Sequence, residues 1–252
     1  MAGDTPWVGS ADDKLYLTSG QFSATLKDSQ GVVGVEAVPY DVAYDGTNTP
    51  FCGAAGQQLY LQSGLFSATL KTSLSVGAVD SVPQGVSSSS GNTPWCGSTD
   101  NKLYLQSGQF SATMKTSLAV GTVEAEPSGV SWSGTDTPWI GYVDDKMYLQ
   151  SGQFSATIKD SQSISTFEAD PVGIAWDQTN TPWCGTGGDQ LYLQSGQFSA
   201  TLKTSLAVGT IDTDPRGIDN TNRLAVGGAR TTRNTRHTTL GTELGMNIWS
   251  HL

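Results

Sequence analysis

A unit of 44 residues, repeated five times in succession, constrains this chain more than any other feature of its sequence. Each copy opens with a Thr-Pro-aromatic triplet, and no insertion or deletion separates one copy from the next. The triplets begin at Thr5, Thr49, Thr93, Thr137 and Thr181. Self-similarity at a fixed period of this size is typical of solenoids, propellers and tandem arrays. We therefore expect the 252 residues to form one repeated body and not two unrelated domains.

Each unit predicts four short β-strands separated by turn residues. The first strand is expected at residues 129–134, the second at 139–141, the third at 102–108 and the fourth at 109–115, each with its counterparts in the other copies. Alternating apolar and polar residues support these strands, and the recurring Ser-Gly pair supports a hairpin between the third and the fourth. Nothing in the body has a helical period, which indicates an all-β fold.

The third strand shows the clearest alternation of side chains. Leu103 and Leu105 are expected on its buried face, and Lys102, Tyr104 and Gln106 on the other face. In the fourth strand the same alternation predicts a buried aromatic residue from every copy. Those residues are Phe22, Phe66, Phe110, Phe154 and Phe198.

The two ends of the repeated region complement each other. The first copy lacks an opening strand, because only four residues precede Thr5, while the fifth copy is followed by a surplus one, DPRGI, at residues 214–218. Pairing of the two ends would remove an exposed sheet edge. We therefore predict a closed five-bladed β-propeller over residues 1–222, with an open solenoid as the alternative.

The run PVGIAWDQTNTPWCGTGGDQLYLQSGQFSATLKTS, residues 171–205, resembles a blade of NHL-type β-propellers in the order and spacing of its strands. The resemblance extends from residue 5 to about residue 218 and implies a propeller, although the charged residues usual in those blades are absent. The phrase SG-x-FSATLKTS also resembles repeats in phage and environmental viral proteins of unknown activity. That second resemblance carries no motif with known chemistry. A virion or fibre component is the structural role that we expect.

The repeat ends at Asn222, and the remaining residues 223–252 differ from it in charge. This segment has a net charge of +3, whereas residues 1–222 carry 22 acidic and 9 basic side chains, a net charge of −13. A basic tail that ends in apolar residues is expected to dock on its own ring, on another copy or on an anionic partner. The candidate assembly residues are Arg223, Arg230, Arg233, Arg236 and Trp249.

The cysteines predict buried apolar positions and not ligands. Cys52, Cys96 and Cys184 share one repeat position, which is Val8 and Ile140 in the other copies. The body contains no C-x-x-C pair and no histidine, so we expect no metal site and no cofactor.

Charge and hydropathy restrict the partners and the compartment. The net charge of −10 argues against nucleic-acid binding through the body, because such binding depends on Lys and Arg at phosphates. No apolar stretch approaches 18 residues and no signal peptide is visible, so we expect no membrane partner and a place in a virion or in the cytoplasm.

Two sets of repeated aromatic residues have different expected roles. The first set is expected to pack between neighbouring blades and comprises Trp7, Phe51, Trp95, Trp139 and Trp183. The second set varies more between copies, and together with the following amide and carboxylate side chains it suits a sugar ligand. These candidate ligand-binding residues are Tyr44, Trp132, Trp176, Asn48, Asp136 and Asn180.

The repetition itself argues against catalysis, which needs unlike residues converging on one point. The paired acids Asp12–Asp13 and Asp144–Asp145 are expected in solvated turns, and we nominate no catalytic residue. We expect a non-enzymatic structural or interaction protein that binds other subunits or copies of itself. The alternative is a multivalent, lectin-type propeller that binds glycans.

Overall fold

The computed structural model describes residues 3–221, apart from 68, 90 and 200, and within this part every regular element is a β-strand. In chain order the strands are β1 (Thr5–Gly9), β2 (Lys14–Thr18), β3 (Leu26–Gly31), β4 (Pro39–Val42), β5 (Asn48–Gly53), β6 (Gln58–Ser63), β7 (Leu70–Ser75), β8 (Pro83–Val86), β9 (Asn92–Gly97), β10 (Lys102–Ser107), β11 (Met114–Ala119), β12 (Pro127–Val130), β13 (Thr137–Gly141), β14 (Lys146–Gln150), β15 (Ile158–Ser163), β16 (Pro171–Ile174), β17 (Asn180–Gly185), β18 (Gln190–Ser195), β19 (Leu202–Ala207) and β20 (Pro215–Ile218). In these residues no helix is long and apolar enough to cross a bilayer.

The strands form five antiparallel sheets of four strands each, which are the blades of a β-propeller. Blade 1 is β20-β1-β2-β3, blade 2 is β4-β5-β6-β7, blade 3 is β8-β9-β10-β11, blade 4 is β12-β13-β14-β15 and blade 5 is β16-β17-β18-β19. The first strand of each series is the inner strand, and the inner strands of neighbouring blades contact one another around the axis. The predicted all-β, five-bladed propeller is confirmed.

The ring closes through the carboxy-terminal strand, as the ends of the repeat predicted. β20 pairs with β1 in antiparallel register, with Trp7 opposite Ile218 and Gly9 opposite Pro215. The backbone N–H of Asp219 extends the pairing beyond the strand by donating to the carbonyl of Pro6 at 2.9 Å. Blade 1 therefore combines both ends of the repeated region, and the open solenoid is wrong.

The first aromatic set packs between blades, which confirms its predicted role. Each member is completely buried and stacks on the tyrosine opposite it in the third strand of its blade, with ring centroids 4.0 to 4.7 Å apart. In one such cluster Phe51 and Tyr60 of blade 2 meet Val8, Leu15 and Leu17 of blade 1. The three cysteines are buried and free in the same layers. Burial of large rings at every junction stabilises the ring of blades.

Both faces of the third strand are buried, and not one face as the alternation predicted. In β10 the exposed fraction is 2% for Tyr104 and 3% for Gln106, as low as for Leu105. A propeller blade packs against a neighbour on each side, so both faces of its central strands are removed from solvent. The alternation of side chains along the third strand therefore places aliphatic residues at the interface with one neighbouring blade and aromatic residues at the interface with the other.

The first and fourth strands are offset from their predicted positions. In blade 3 the outer strand begins at Met114, while Phe110 lies in the preceding turn with φ of +60°. Its ring is 7% exposed and packs with Leu61, so burial holds the backbone in a conformation that is unfavourable for phenylalanine. The inner strand of blade 4 ends at Val130, which leaves Trp132 in the following loop.

Glycine keeps the inner strands close together at the axis. An added Cβ at Gly85, Gly129 or Gly173 would lie 2.9 to 3.1 Å from the Cα of the next glycine around the ring, and at Gly217 it would lie 2.4 Å from the Cα of Asp41. Since a Cα–Cβ bond adds about 1.5 Å, these Cα atoms lie within about 4.6 Å of one another. This glycine ring brings the inner strands of neighbouring blades into close contact around the axis.

Candidate binding site at the propeller axis

A cavity of about 150 Å³ opens on one face of the propeller, at the ends where the inner strands begin. The second residue of each inner strand lines it, so all five blades contribute a side chain. These axial residues are Tyr40, Gln84, Ser128, Val172 and Arg216. Glu126, Tyr142 and Thr186 complete the lining from the adjacent connections and turns. We call this cavity the axial cup.

The axial position is where the copies of the repeat differ most. Of the 44 aligned positions, it alone carries five different amino acids, whereas the neighbouring proline is the same in every copy. The five differences meet at one point because the inner strands surround the axis. A symmetric scaffold thus carries one asymmetric site.

One wall of the cup is built around Arg216. Its guanidinium carbon lies 4.5 Å from the ring centroid of Tyr40, within the range of a cation–π contact. Its Nε donates to the carboxylate of Asp214 at 2.9 Å and to the hydroxyl of Ser10 at 2.8 Å, and this hydroxyl in turn donates to Asp214. Asp214 therefore neutralises the arginine and fixes its position.

The other walls present hydrogen-bond acceptors to the cup. The Oε1 atom of Gln84 is shielded from solvent and has no hydrogen-bond partner among the described residues. The carboxylate of Glu126 forms no ion pair with the described cations. Burial and a hydrogen bond to Asp170 raise the pKa of Tyr142, so this phenol stays protonated at neutral pH. Glu126 can therefore accept a hydrogen bond from a ligand in the cup, and Gln84 can accept one after its amide rotates towards the cavity.

The face around the cup is strongly acidic. Fourteen of the 22 acidic side chains of residues 1–222 lie in the loops that open on this face, namely the connections between outer and inner strands and the turns between the second and third strands. No lysine or arginine lies in those loops, although Lys14, Lys102 and Lys146 begin the strands beside them. The charge of the propeller is thus concentrated on the face that carries the cup.

A buried carboxylate in every blade organises the loops of this face. In blade 3 the carboxylate of Asp80 accepts backbone N–H groups from Val82 at 2.9 Å and Asp100 at 3.0 Å and the hydroxyl of Tyr104 at 3.3 Å. This role was not predicted from the sequence, although an acid recurs at one position of every copy. The equivalent residues are Glu36, Asp80, Glu124, Glu168 and Asp212.

In two blades the buried acid meets a second carboxyl group. Burial and a hydrogen bond with Asp12 raise the pKa of Asp212 to about 6. Burial opposes ionisation of Asp12 as well, but hydrogen bonds from Lys14, Tyr16 and Asp212 hold its pKa below the ordinary value. When the pair carries one proton, Asp212 therefore holds it.

Glu124 and Asp144 form the corresponding pair in blade 4. Burial and the hydrogen bond to Asp144 raise the pKa of Glu124, and the hydrogen bond from Glu124 helps to lower that of Asp144 against its own burial. Asp12 and Asp144 lie in the turns between the second and third strands, as predicted, with Asp12 exposed and Asp144 half-buried. Hydrogen bonds to the buried acids also tie these two turns to the body of the propeller.

The predicted aromatic ligand residues lie at the opposite face, in the loops that follow the inner strands. Tyr44, Trp132 and Trp176 are half-buried there. The backbone N–H of Tyr44, which follows the inner strand of blade 2, donates at 2.6 Å to Asp219, which follows the inner strand of blade 1. Nothing in the structure tests their contact with a sugar, which stays a prediction.

The predicted amide and carboxylate ligand residues have structural partners. Asn48, Asp136 and Asn180 are only 5 to 6% exposed. Lysines of the outer strands donate to all three: Lys159 lies 2.7 Å from Asp136, and Lys71 and Lys203 lie 3.2 Å from Asn48 and Asn180. These bonds attach the outer strand to the preceding loop. A ligand would compete with the lysines for the same oxygen atoms.

The candidate assembly residues Arg223, Arg230, Arg233, Arg236 and Trp249 lie outside the described residues. The boundary at residue 222 and the role of the tail stay predictions. Among the residues that are described, no three His, Cys, Asp or Glu side chains are grouped as metal ligands would be.

The fold and the site define a five-bladed β-propeller with one asymmetric axial cup. No family model matches the chain, and no curated protein matches it. Solved structures with a similar fold include the nidogen/laminin complex (10% identity, 86% of this chain and 83% of that chain, TM-score 0.57). The glutaminyl cyclase of Myxococcus xanthus is also similar (12% identity, 73% and 77%, TM-score 0.54), as is a streptogramin B lyase (14% identity, 85% and 68%, TM-score 0.50). At these identities the likeness shows the fold alone, and this fold is the β-propeller that the repeats predicted.

Proposed function

We propose that the protein is a non-enzymatic interaction protein that recognises its partner with the acidic face around the axial cup. The observation that carries the proposal is the divergence of the five axial residues within copies that are otherwise nearly alike. The repeated residues build the packed blades, and the divergent ones line a single cavity. Binding sites are typically concave, as this cup is, and its lining is mainly polar.

The charge distribution supports a partner with basic groups. An acidic surface attracts a cationic partner at long range and accelerates its association, and salt screens this attraction. In the nidogen/laminin complex, a protein of similar fold is part of a protein assembly. For the present chain we propose the same general role, with another subunit or a second copy as the partner.

A selection from a peptide library displayed on phage tests the proposal. The full chain is the target, and the counter-target is a variant in which all axial residues are serine, Tyr40→Ser, Gln84→Ser, Val172→Ser and Arg216→Ser. We expect enriched peptides that are basic, bind the unmodified chain and lose binding to the serine variant. Circular dichroism and the melting temperature verify that the variant is folded.

A matched control places four serines on the outer strands, Lys71→Ser, Thr72→Ser, Lys115→Ser and Thr116→Ser, where these side chains are exposed. Peptides selected on the unmodified chain should bind this control with undiminished affinity. Equal binding to the axial variant, or loss of binding to the outer-strand control alone, would contradict recognition by the axial face.

The second candidate function is the multivalent lectin, favoured by the three half-buried aromatic residues on the opposite face. Linked weak sites raise avidity by roughly 10²–10⁴. A glycan array would show ligands that are lost in the double variant Trp132→Ala and Trp176→Ala and kept in the axial serine variant. A place in a virion or fibre, and the absence of turnover, belong to the proposal as predictions from the sequence.

A further inference from the structure

We propose that the axial cup binds a primary ammonium group on a short aliphatic stem, carried by a free amine or by a lysine side chain of a partner. This inference deepens the proposed function and rests on it, because it names the chemical group that the acidic face receives. Three features of the cup carry it: unpaired acceptors, the balance of charge and the size of the cavity.

Gln84 lines the cup, and its Oε1 atom is shielded from solvent without a hydrogen-bond partner among the described residues. A shielded, unpaired acceptor is unfavourable, so rotation of the Gln84 amide towards a donor in the cup gains a hydrogen bond. Glu126 adds a carboxylate that is free of ion pairs with the described cations. An ammonium group has three donors and no acceptor, which matches this pair of side chains.

The charge of the residues that line the cup also favours a cationic ligand. Arg216 is a cation in the wall, but Asp214 at 2.9 Å neutralises it and its guanidinium lies against Tyr40. Glu126 is then left as the uncompensated charge of the lining, and Asp170 lies directly behind Tyr142. The cup therefore attracts a cation, and the surrounding acidic loops raise its local concentration.

The size of the cup selects a compact group. A cavity of about 150 Å³ accommodates a group of about six heavy atoms, the size of benzene. The end of a lysine side chain fits this volume, and its methylene groups can lie against Val172. A guanidinium is planar and carries five donors, more than the two unpaired acceptors can satisfy. We therefore expect preference for ammonium over guanidinium.

Titration of the isotope-labelled full chain, followed by backbone amide NMR, tests the proposal. The probes are Nα-acetyl-lysine methylamide, n-butylamine, the Nε-acetylated form of the lysine probe, Nα-acetyl-arginine methylamide and acetate. We expect saturable shifts at Gln84, Tyr142 and Thr186 with the first two probes only. If butylamine alone binds, a free amine is the ligand; if both bind, a lysine of a partner is accepted as well.

Two variants and one control make the test specific. Glu126→Gln should weaken amine binding about tenfold, since a hydrogen bond to a charged group is lost. Gln84→Leu should also weaken binding and yet raise the melting temperature, because it removes an unpaired acceptor. Asp28→Asn removes a carboxylate from an exposed outer strand and should leave binding unchanged.

The outcomes that overturn the proposal are distinct from those that overturn the proposed function. Binding of acetate in place of the amines would assign the cup to anions through Arg216. Undiminished amine binding by Glu126→Gln, or shifts confined to the outer strands, would place the amine elsewhere. If the amines bind as expected and peptide selection ignores the axial serine variant, the cup is an amine site but the proposed protein partner is wrong.

Discussion

At the scale of single residues, Asp41 and Asp219 show the effect of a side chain that one copy of the repeat carries and the other copies lack. Asp41 stands where the other four copies carry glycine, and it is 1% exposed. Its carboxylate accepts the N–H groups of Val42 at 2.8 Å and Val86 at 2.9 Å. Burial raises the pKa of Asp41 well above its ordinary value against these hydrogen bonds, and the charge of Asp219 raises it further. Asp41 thus joins neighbouring inner strands at the one point of the glycine ring that has a side chain.

The pH dependence of stability can be predicted at Asp212. Because its pKa is raised to about 6, the folded state binds the proton more tightly than the unfolded state. This contribution to stability is complete below the ordinary carboxyl pKa of about 4 and is lost as the pH rises through about 6. In Asp212→Asn an amide replaces the protonated carboxyl. We expect this variant to lose less stability than the unmodified chain between pH 5 and pH 8, measured by urea unfolding.

Asp80→Asn is the matched control for this experiment. The carboxylate of Asp80 faces only donors, namely backbone N–H groups and the hydroxyl of Tyr104. An amide there would turn an N–H₂ group towards other donors and should cost about 1–3 kcal/mol at neutral pH. Equal losses in the two variants, with parallel pH profiles, would show that Asp212 shares no proton with Asp12.

At the scale of elements, a four-residue strand closes the whole ring. β20 covers the edge of β1 and places Ile218, 1% exposed, against the buried ring of Trp7. A chain that ends before Asp214 would leave β1 as an unprotected edge beside an incomplete core. We expect such a truncation to aggregate or to lower the melting temperature by about 10 °C or more, measured by scanning calorimetry and light scattering.

A chain that ends at Asn222 is the control, because it keeps β20 and the bond from the Thr221 N–H to the Asp4 carbonyl at 3.0 Å. Closure by β20 would be refuted if both truncated chains melted together and stayed monomeric.

The elements also show what the sequence could and could not predict. The exact period, the strand alternation and the unmatched ends were enough for the propeller and for its closure, since these depend on local pattern and on counting. The displaced outer strand depends on a turn in which a buried ring holds Phe110 at positive φ, a tertiary effect that alternation does not contain. The axial cup is formed by residues 44 apart that meet only after closure, although comparison of the copies would have singled out their position.

At the scale of the whole molecule, the propeller and the tail carry opposite net charges. The body of 1–222 has a net charge of −13, and residues 223–252 have a net charge of +3. We predict that the tail serves assembly and not folding. Deletion from Arg223 onward should leave the melting temperature and the β-sheet spectrum unchanged, and should abolish association with a second copy or a partner, measured by light scattering after gel filtration.

Charge reversal in the tail refines this experiment. Substitution of Arg230, Arg233 and Arg236 by Glu keeps the length of the chain and should reproduce the effect of the deletion if the attraction is electrostatic. Loss of the fold on deletion would instead make the tail part of the ring, and unchanged association would assign assembly to the propeller.

The glycine ring also limits the kind of ligand that the axial cup can bind. Since the inner strands are in close contact there, a group that enters the cup reaches a floor and must leave by the opening through which it came. A polypeptide chain cannot pass through the propeller along its axis. The cup can therefore bind only the end of a projecting side chain or a free small molecule. The two faces of the propeller are accordingly separate binding surfaces, and a ligand bound on one face leaves the other face free for a different ligand.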